Sequence, residues 1–285
     1  MLNTESFSEQ FEFNSSDFDA FVSSVEAGEK ANTAKRAKKL ISVVDLTSLN
    51  ATDTFRSVKK VVNKAIDLSN EDLKVGGVCL FPNYVKEFHK LLLQQDIPMA
   101  CVAGAFPLGQ ADRKVKLVEV ERAIYHGANE IDYVINRGLF LNNEYEELIN
   151  EVRAARQLCE GKAELKVIIE NSDLDTLENI YLVSRLTLAA GAHFIKTSTG
   201  KGAYGAKPKH AWVMLQAIKD HYNSTGVLAG LKVAGGIRTP EEANLYYEMA
   251  RHFFGKSYAK PHLFRIGASS LLDNLVTVAK STGVE

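Results

Sequence analysis

The stretch HFIKTSTGKGAYG, residues 193–205, begins with a short apolar run and continues into a loop of small residues. The run ends at Lys196, after Phe194 and Ile195. Such a run is typical of a strand that is covered on both faces. A lysine at the end of a buried strand needs an explanation, because an unpaired charge is costly to bury. Either the amine reaches solvent, or it serves as a nucleophile.

Seven similar runs recur along the chain. They cover residues 41–47, 76–81, 99–104, 130–135, 164–170, 230–235 and 263–268. Helical patterns lie between them, for example the segment that begins at Pro208, a residue favoured at the first position of a helix. Eight strands that alternate with helices predict an α/β protein, a (β/α)₈ TIM barrel. A doubly wound open sheet is the competing fold.

The first forty residues lie outside this repeat. Their segment SSDFDAFVSSVE opens on a serine–aspartate pair that is typical of a helix start. We therefore expect residues 1–40 to form an N-terminal helical extension packed on the barrel, and residues 41–285 to form the barrel catalytic domain. No low-complexity linker divides the chain, which favours a single domain.

The composition limits the classes of partner. The 285 residues carry a formal net charge of −1, which gives no reason to expect a nucleic acid or a membrane surface as partner. No apolar run reaches the roughly 18 residues that span a bilayer. The N-terminus has neither the basic nor the apolar region of a secretory signal. The three cysteines are scattered and form no CxxC motif, so we expect a cytoplasmic protein without disulfides.

Polar residues stand at or near the carboxyl ends of the predicted strands, where TIM barrels carry their chemistry. They are Asp45, Cys79, Asp132, Glu170, Lys196 and Lys232. Each of them alone could be a rim residue that faces water. Two lysines and two aspartates that converge on one mouth favour a catalytic site. No histidine falls at a strand end or in an HExxH motif, so we expect no metal site.

The glycines of the later loops suggest an anion site. The GxGxxG spacing at residues 200–205 follows the sixth strand and contains no helix start, so we discard a dinucleotide site. Small residues follow the last three strands at 199–201, 235–239 and 267–270. Their backbone N–H groups, with a helix that starts near Ser269, would bind a phosphate. The alternative is that these glycines only form tight turns.

At these residues the chain resembles the deoxyribose-phosphate aldolase family, the class I aldolases that act through a Schiff base. The matching motifs are VDLTSLN, GGVCLFP, EIDYVINRG, FIKTSTGK, KVAGGIRT and FRIGASSLL, and only the first forty residues lack a clear counterpart. The resemblance implies reversible cleavage of 2-deoxy-D-ribose 5-phosphate to acetaldehyde and D-glyceraldehyde 3-phosphate.

The resemblance also assigns roles by motif. Lys196 matches the Schiff-base lysine, Lys232 its cationic neighbour and Asp132 the carboxylate of the proton relay. The substrate-binding residues that it implies are Asp45 and Cys79 at the mouth, and Thr199, Gly200, Lys201, Gly235, Gly236, Arg238, Gly267, Ser269 and Ser270 around the phosphate. It implies a covalent lysine imine with no cofactor and no metal. The partners are then a phosphosugar and aldehydes, and a homodimer stays open.

Two departures from the family pattern stand out. Some members end in a tail with a tyrosine that assists proton transfer, whereas this sequence ends KSTGVE. Val233 stands where a proline often follows the second lysine. The first departure leaves the identity of the proton donor open.

The chemistry explains why such a lysine would be buried. An amine attacks the aldehyde, and the resulting iminium withdraws electrons from the carbon–carbon bond that breaks. Only a neutral amine attacks, and a free lysine with a pKa of about 10.4 is less than about 0.1% neutral at pH 7. An apolar interior and a second ammonium nearby both disfavour the charged form.

Two other classes of function compete. A phosphosugar isomerase would use a carboxylate base, for which Glu170 is the candidate, and would need no lysine. A phosphosugar-binding pseudoenzyme would be expected to lack a catalytic group. The presence of both lysines and Asp132 favours the aldolase over either alternative.

Overall fold

A computed structural model of the chain describes residues 11–28 and 32–281. Eight strands form a closed, all-parallel barrel in chain order, and β1 pairs with β8. Their bounds are β1 Val44–Ser48, β2 Gly77–Leu80, β3 Met99–Ala103, β4 Glu130–Val134, β5 Glu164–Ile168, β6 Phe194–Lys196, β7 Gly230–Ala234 and β8 Phe264–Ala268. The predicted TIM barrel is confirmed, and the open sheet is wrong because the sheet closes on itself.

Helices precede β1 and connect the strands. Their bounds are α1 Ser15–Ala27, α2 Ala34–Ile41, α3 Phe55–Asn70, α4 Pro82–Leu93, α5 Arg113–Tyr125, α6 Arg137–Leu141, α7 Tyr145–Cys159, α8 Leu177–Ala189, α9 Pro208–Thr225, α10 Pro240–Phe254 and α11 Leu271–Lys280. A short 3₁₀ turn, Asn171–Asp173, follows β5. The part of the chain that the structure describes holds no helix long and apolar enough to cross a membrane.

Local sequence signals set several of these bounds. Pro208 opens α9, which ends at Gly226 with a left-handed backbone (φ 73°) that glycine adopts without strain. Helix α10 begins with a capping box in which Thr239 and Glu242 satisfy each other's backbone N–H groups. Helix α8 packs against β6 and helix α9 against β7, the two strands that carry the predicted catalytic lysines.

The two helices α1 and α2 form the described part of the N-terminal extension. Phe18 and Phe21 of α1 are buried against Trp212 of α9, with ring centroids 5.6 Å and 5.2 Å away. Helix α2 packs beside α11 and α10, and its buried Arg36 forms an ion pair with Glu248. Residues 1–10 and 29–31 of the predicted extension lie outside the described residues.

Strand β6 is shorter than the predicted run 193–198. The Nδ1 atom of His193 accepts the backbone N–H of Leu165 at 2.8 Å, which gives this histidine a structural role before the strand begins. After Lys196, the hydroxyls of Thr197 and Ser198 donate to the carbonyl of Ala234 at 3.3 Å and 2.6 Å. Side-chain hydrogen bonds to the two neighbouring strands thus add to the backbone hydrogen bonds at both ends of β6.

Candidate active site

Two lysines and an aspartate meet inside the barrel. Lys196 is the last residue of β6 and lies in register with Lys232 of β7. Asp132, in the middle of β4, accepts hydrogen bonds at its Oδ2 from the Nζ of Lys196 and the Nζ of Lys232, each at 2.7 Å. All three residues are at most 2% exposed. A single carboxylate oxygen therefore lies between the two amines.

The charges of Asp132 and Lys232 depend on each other. Burial pushes the pKa of Asp132 upward, but Lys196 and Lys232 outweigh it and hold this pKa well below its usual range. Burial pushes the pKa of Lys232 downward, but Asp132 and Asp45 outweigh it and hold this pKa well above its usual range. At neutral pH, Asp132 is therefore a carboxylate and Lys232 an ammonium.

The ion pairs continue towards the amino-terminal end of the barrel. The Oδ2 of Asp45 lies 2.5 Å from the Nζ of Lys232, and its Oδ1 accepts from Arg265. Arg265 also pairs with Glu130 at 2.7 Å, and Glu130 lies 3.0 Å from the Nζ of Lys166. This alternating line of charges provides the partners that buried ions require. The sequence interpretation missed Arg265, Glu130 and Lys166.

A signal for these three residues is present in the strands. Each is a charged residue in or beside an otherwise apolar run, in FRIG, EIDYV and ELKV respectively. Inward-facing side chains of alternate strands share layers inside such a barrel. Charged residues of opposite sign in apolar strands therefore point to pairs within the barrel interior.

Asp45 and Cys79 are predicted to line the mouth, and their role in substrate binding stays a prediction. Both are fully buried and lie outside the cavity wall described below. Asp45 is the second residue of β1, within the strand, and the Sγ of Cys79 lies 3.7 Å from the Oδ2 of Asp132. Burial, and then the nearby Asp132, raise the pKa of Cys79 to about 12, which keeps it a neutral thiol. Their contacts with Lys232 and Asp132 place both side chains inside the barrel, below the loops of the mouth.

A cavity of about 400 Å³ opens at the carboxyl ends of the strands, with Lys196 in its wall. It brings together the other predicted substrate-binding residues, which are Thr199, Gly200, Lys201, Gly235, Gly236, Arg238, Gly267, Ser269 and Ser270. Asp132 and Lys232 lie outside this wall, behind Lys196. Thr47, Leu49 and Asn50 also line the cavity. The pattern of polar strand ends does not single them out, although the motif VDLTSLN contains all three.

Glycines in the cavity wall let backbone segments of neighbouring loops approach each other closely. Gly235 and Gly236 both have left-handed backbones, with φ of 82° and 84°. A Cβ on Gly235 would lie 2.9 Å from the Cα of Gly205, so the loops after β6 and β7 touch through their backbones. Helix α11 begins beside Ser270, whose side chain makes no capping hydrogen bond. The positive end of α11 thus lies at the cavity wall and favours an anion there.

Glu170, the candidate base of an isomerase, lies outside the cavity wall. Its Oε2 accepts the backbone N–H of Thr199 at 3.0 Å and the hydroxyl of the same residue. Its Oε1 accepts the hydroxyl of Ser172 at 3.3 Å. Both carboxylate oxygens are thus engaged by neighbouring protein groups. Among the residues that the structure describes, no group of three or more His, Cys, Asp or Glu side chains is arranged to hold a metal ion.

Comparison with known proteins agrees with this geometry. A family model for the DeoC/LacD family aldolases matches residues 39–275. The chain belongs to this aldolase family. Human deoxyribose-phosphate aldolase is 38% identical over 250 residues, which is 83% of this chain and 78% of the human protein. The mouse enzyme of the same name is 39% identical with the same coverage.

A solved structure supports the family assignment. The tetrameric deoxyribose phosphate aldolase from Aeropyrum pernix aligns with a TM-score of 0.68 and 28% identity, and the alignment covers 86% of this chain and 92% of the other. The protein is therefore a carbon–carbon lyase of the deoxyribose-phosphate aldolase type. The resemblance inferred from the sequence motifs is confirmed.

Proposed function

We propose that this aldolase reversibly cleaves 2-deoxy-D-ribose 5-phosphate to acetaldehyde and D-glyceraldehyde 3-phosphate through an imine on Lys196. One observation carries the proposal. The amine of Lys196 borders a cavity of glycine-rich loops and is hydrogen-bonded to Asp132, which Lys232 also contacts. A nucleophile thus stands beside a proton acceptor and opposite an anion site.

The phosphate orients the sugar. Lys201 and Arg238 are exposed at the cavity wall, next to the backbone of Gly235 and Gly236 and the start of α11. A phosphate bound there turns the other end of the sugar, the C1 aldehyde, towards Lys196. This placement converts an encounter in solution into a reaction between fixed groups.

Asp132 sets the protonation and charge balance around the nucleophile. Its Oδ2 is hydrogen-bonded to the Nζ of Lys196 and can pass the proton that this amine loses to the hydroxyl that leaves as water, so that Asp132 ends the step as a carboxylate again. After water is lost, the iminium carries the same positive charge as the ammonium that it replaces. Asp132 can then act as its counter-ion, while Lys232 keeps that carboxylate anionic.

The iminium provides the electron sink. Acetaldehyde takes two carbons of the sugar, so the bond that breaks is C2–C3. Its electrons move towards the iminium nitrogen and leave a neutral enamine, while the C3 hydroxyl loses its proton to form the aldehyde of the second product. C2 of the enamine takes up one proton in return, so the step is balanced. Hydrolysis of the protonated enamine releases acetaldehyde and restores Lys196.

The test is turnover of the proposed substrate. Purified protein is incubated with 2-deoxy-D-ribose 5-phosphate, and acetaldehyde and glyceraldehyde 3-phosphate are measured separately. We expect the two products in equal amounts. A rearranged pentose phosphate without acetaldehyde would support an isomerase, and binding without turnover would support a pseudoenzyme.

We also propose that the enzyme needs no cofactor or metal and that it works in the cytoplasm, with residues 1–40 as an extension of the catalytic domain 41–285. The sequence leaves a homodimer open. The cysteines of the described residues are all free, which supports the proposed location in a reducing compartment. Cell fractionation tests the location, and size-exclusion chromatography with light scattering tests the oligomeric state.

A further inference from the structure

One buried carboxylate holds the loop after β6. The backbone N–H of Thr199 donates to the Oε2 of Glu170 at 3.0 Å, and the hydroxyl of Thr199 donates to the same oxygen. The backbone N–H of Lys201 in turn donates to the hydroxyl oxygen of Thr199 at 3.0 Å. Residues 199–201 line the cavity, whereas Glu170 does not. Glu170 therefore orders one wall of the cavity through Thr199, without being part of that wall.

Glu170 is itself fixed by the backbone. The N–H of Ile169 donates to the carbonyl of Lys196 at 3.0 Å, and the N–H of Asn171 donates to the carbonyl of Thr197 at 2.8 Å. Between these two hydrogen bonds, Glu170 adopts a left-handed backbone with φ 51°, which is uncommon for a residue other than glycine. It is only 2% exposed. This conformation, with the bonds on either side of it, sets the carboxylate against Thr199 instead of in the cavity.

The loop has little room to relax. A Cβ on Gly202 would lie 2.5 Å from the Oγ of Ser172 and 3.1 Å from the Cδ of Glu170. Tyr204, further along the loop, donates its hydroxyl to the carbonyl of Asn171 at 3.4 Å. The turn at residues 170–172 therefore contacts the loop at three points, and the contact through Glu170 is the one that reaches the cavity wall.

We propose that Glu170 is a positioning residue that gives the cavity its preference for a phosphorylated over an unphosphorylated sugar. It holds residues 199–201 where their backbone can reach the phosphate. Hydrogen bonds to an ionised acceptor are roughly twice as strong as neutral ones, so a carboxylate fixes the loop more firmly than an amide would. The inference rests on the proposed function, because it requires a sugar phosphate as substrate.

The test compares two substrates in matched variants. The values of kcat/KM are measured for 2-deoxyribose 5-phosphate and for unphosphorylated 2-deoxyribose, and their ratio is the phosphate preference. Glu170→Gln keeps the shape of the side chain and removes its charge. We expect the preference to fall about 10-fold, mostly through KM for the phosphorylated sugar.

Glu119→Gln is the matched control. The Oε2 of Glu119 accepts the backbone N–H of Ala105 at 2.7 Å, so it holds the loop after β3 by the same chemistry. Both Glu119 and Ala105 lie outside the cavity wall. We expect the preference of this variant to stay within about twofold of the wild-type value, even if its thermal stability falls.

A second variant keeps the test decisive if Glu170→Gln fails to fold. Thr199→Val removes the hydroxyl that links Glu170 to Lys201, and it should lower the preference in the same way. Thr199→Ser keeps that hydroxyl and should show a phosphate preference close to that of the wild-type enzyme. If both Glu170→Gln and Thr199→Val fold, their effects on the preference should be less than additive, because they interrupt one path.

Two results would contradict the inference. One is an unchanged preference in Glu170→Gln, including the case of equal losses on both substrates, which indicate a structural role only. A wild-type enzyme that does not cleave 2-deoxyribose 5-phosphate would contradict the proposed function and this inference with it. A wild-type enzyme that cleaves it, with an unchanged preference in the variant, would contradict the inference alone.

Discussion

Substitution of Lys232 by leucine should move the pH at which Lys196 becomes reactive upward, while Lys196 still forms the imine. In the native site, the Oδ2 of Asp132 is shared by two amines at equal distances of 2.7 Å. Without Lys232, Asp132 has only Lys196 as its amine partner. Lys196 then holds its proton more tightly, and a more alkaline solution is needed to free the neutral amine.

The size of the shift follows from the charges. Two like charges about 4 Å apart interact by about 4 kcal/mol in an effective dielectric of about 20, which corresponds to about 3 pH units. Asp45 lies 2.5 Å from the Nζ of Lys232 and offsets part of its charge. We therefore expect an upward shift of about 1–2 pH units and turnover about 10–100-fold slower at pH 7.

The assay is the rate of borohydride trapping with acetaldehyde as a function of pH, followed by peptide mapping. Lys232→Leu leaves Asp45 without its lysine partner, and such a loss costs about 3–5 kcal/mol of folding stability, so circular dichroism must first show a folded protein. Lys116→Met is the matched control. It removes another fully buried lysine, which pairs with Glu151 and does not contact Asp132, and it should leave the pH profile in place. An unshifted or acid-shifted profile in Lys232→Leu would refute the reasoning.

Three further predictions concern the phosphate site, acid stability and metals. Ser269→Glu places a negative charge at the start of α11 and should raise KM for the phosphorylated sugar at least about 10-fold, with much less effect on unphosphorylated deoxyribose; equal losses would count against this placement. Burial raises the pKa of Asp45, but Arg265 and Lys232 outweigh it and lower the pKa from 3.8 to about 2. Ionised Asp45 therefore adds on the order of 2 kcal/mol to the free energy of unfolding above pH 3.8, and this contribution is lost as the pH falls through 2. Urea unfolding between pH 5 and pH 2 can measure the loss, and a constant free energy of unfolding over this range would contradict the prediction. Exhaustive EDTA treatment should leave the cleavage rate unchanged, whereas a loss that zinc restores would contradict a mechanism based on the lysine imine alone.

The fold could be predicted from the sequence because parallel strands buried on both faces are continuously apolar. Seven of the eight predicted runs contain a whole strand of the barrel, and the first, 41–47, overlaps β1, which ends at Ser48. The ends of the strands were less predictable. At β6, the side chains of His193 and Ser198 bond the backbone of the neighbouring strands, and such bonds depend on Leu165 and Ala234, which are distant in the sequence.

The depth of a residue in the barrel was the hardest property to predict. Asp45 and Lys196 both stand in apolar runs, yet Asp45 lies within its strand and Lys196 ends its strand. That difference depends on where each strand begins relative to its neighbours, which the sequence of one strand does not contain. The sequence also offers Glu170 as a candidate base. Its side chain is turned towards Thr199 by a left-handed backbone, which is a property of the folded turn and cannot be read from the strand sequence.

The most direct test of the account is to identify the lysine that forms the imine. The wild-type enzyme is reduced with borohydride in the presence of acetaldehyde, digested with trypsin and analysed by mass spectrometry. Trypsin does not cleave after a modified lysine, so we expect an ethylated peptide that covers residues 186–201 with its modification at Lys196, and no adduct in Lys196→Leu. An adduct that maps to Lys232, or trapping that persists in Lys196→Leu, would contradict the central claim.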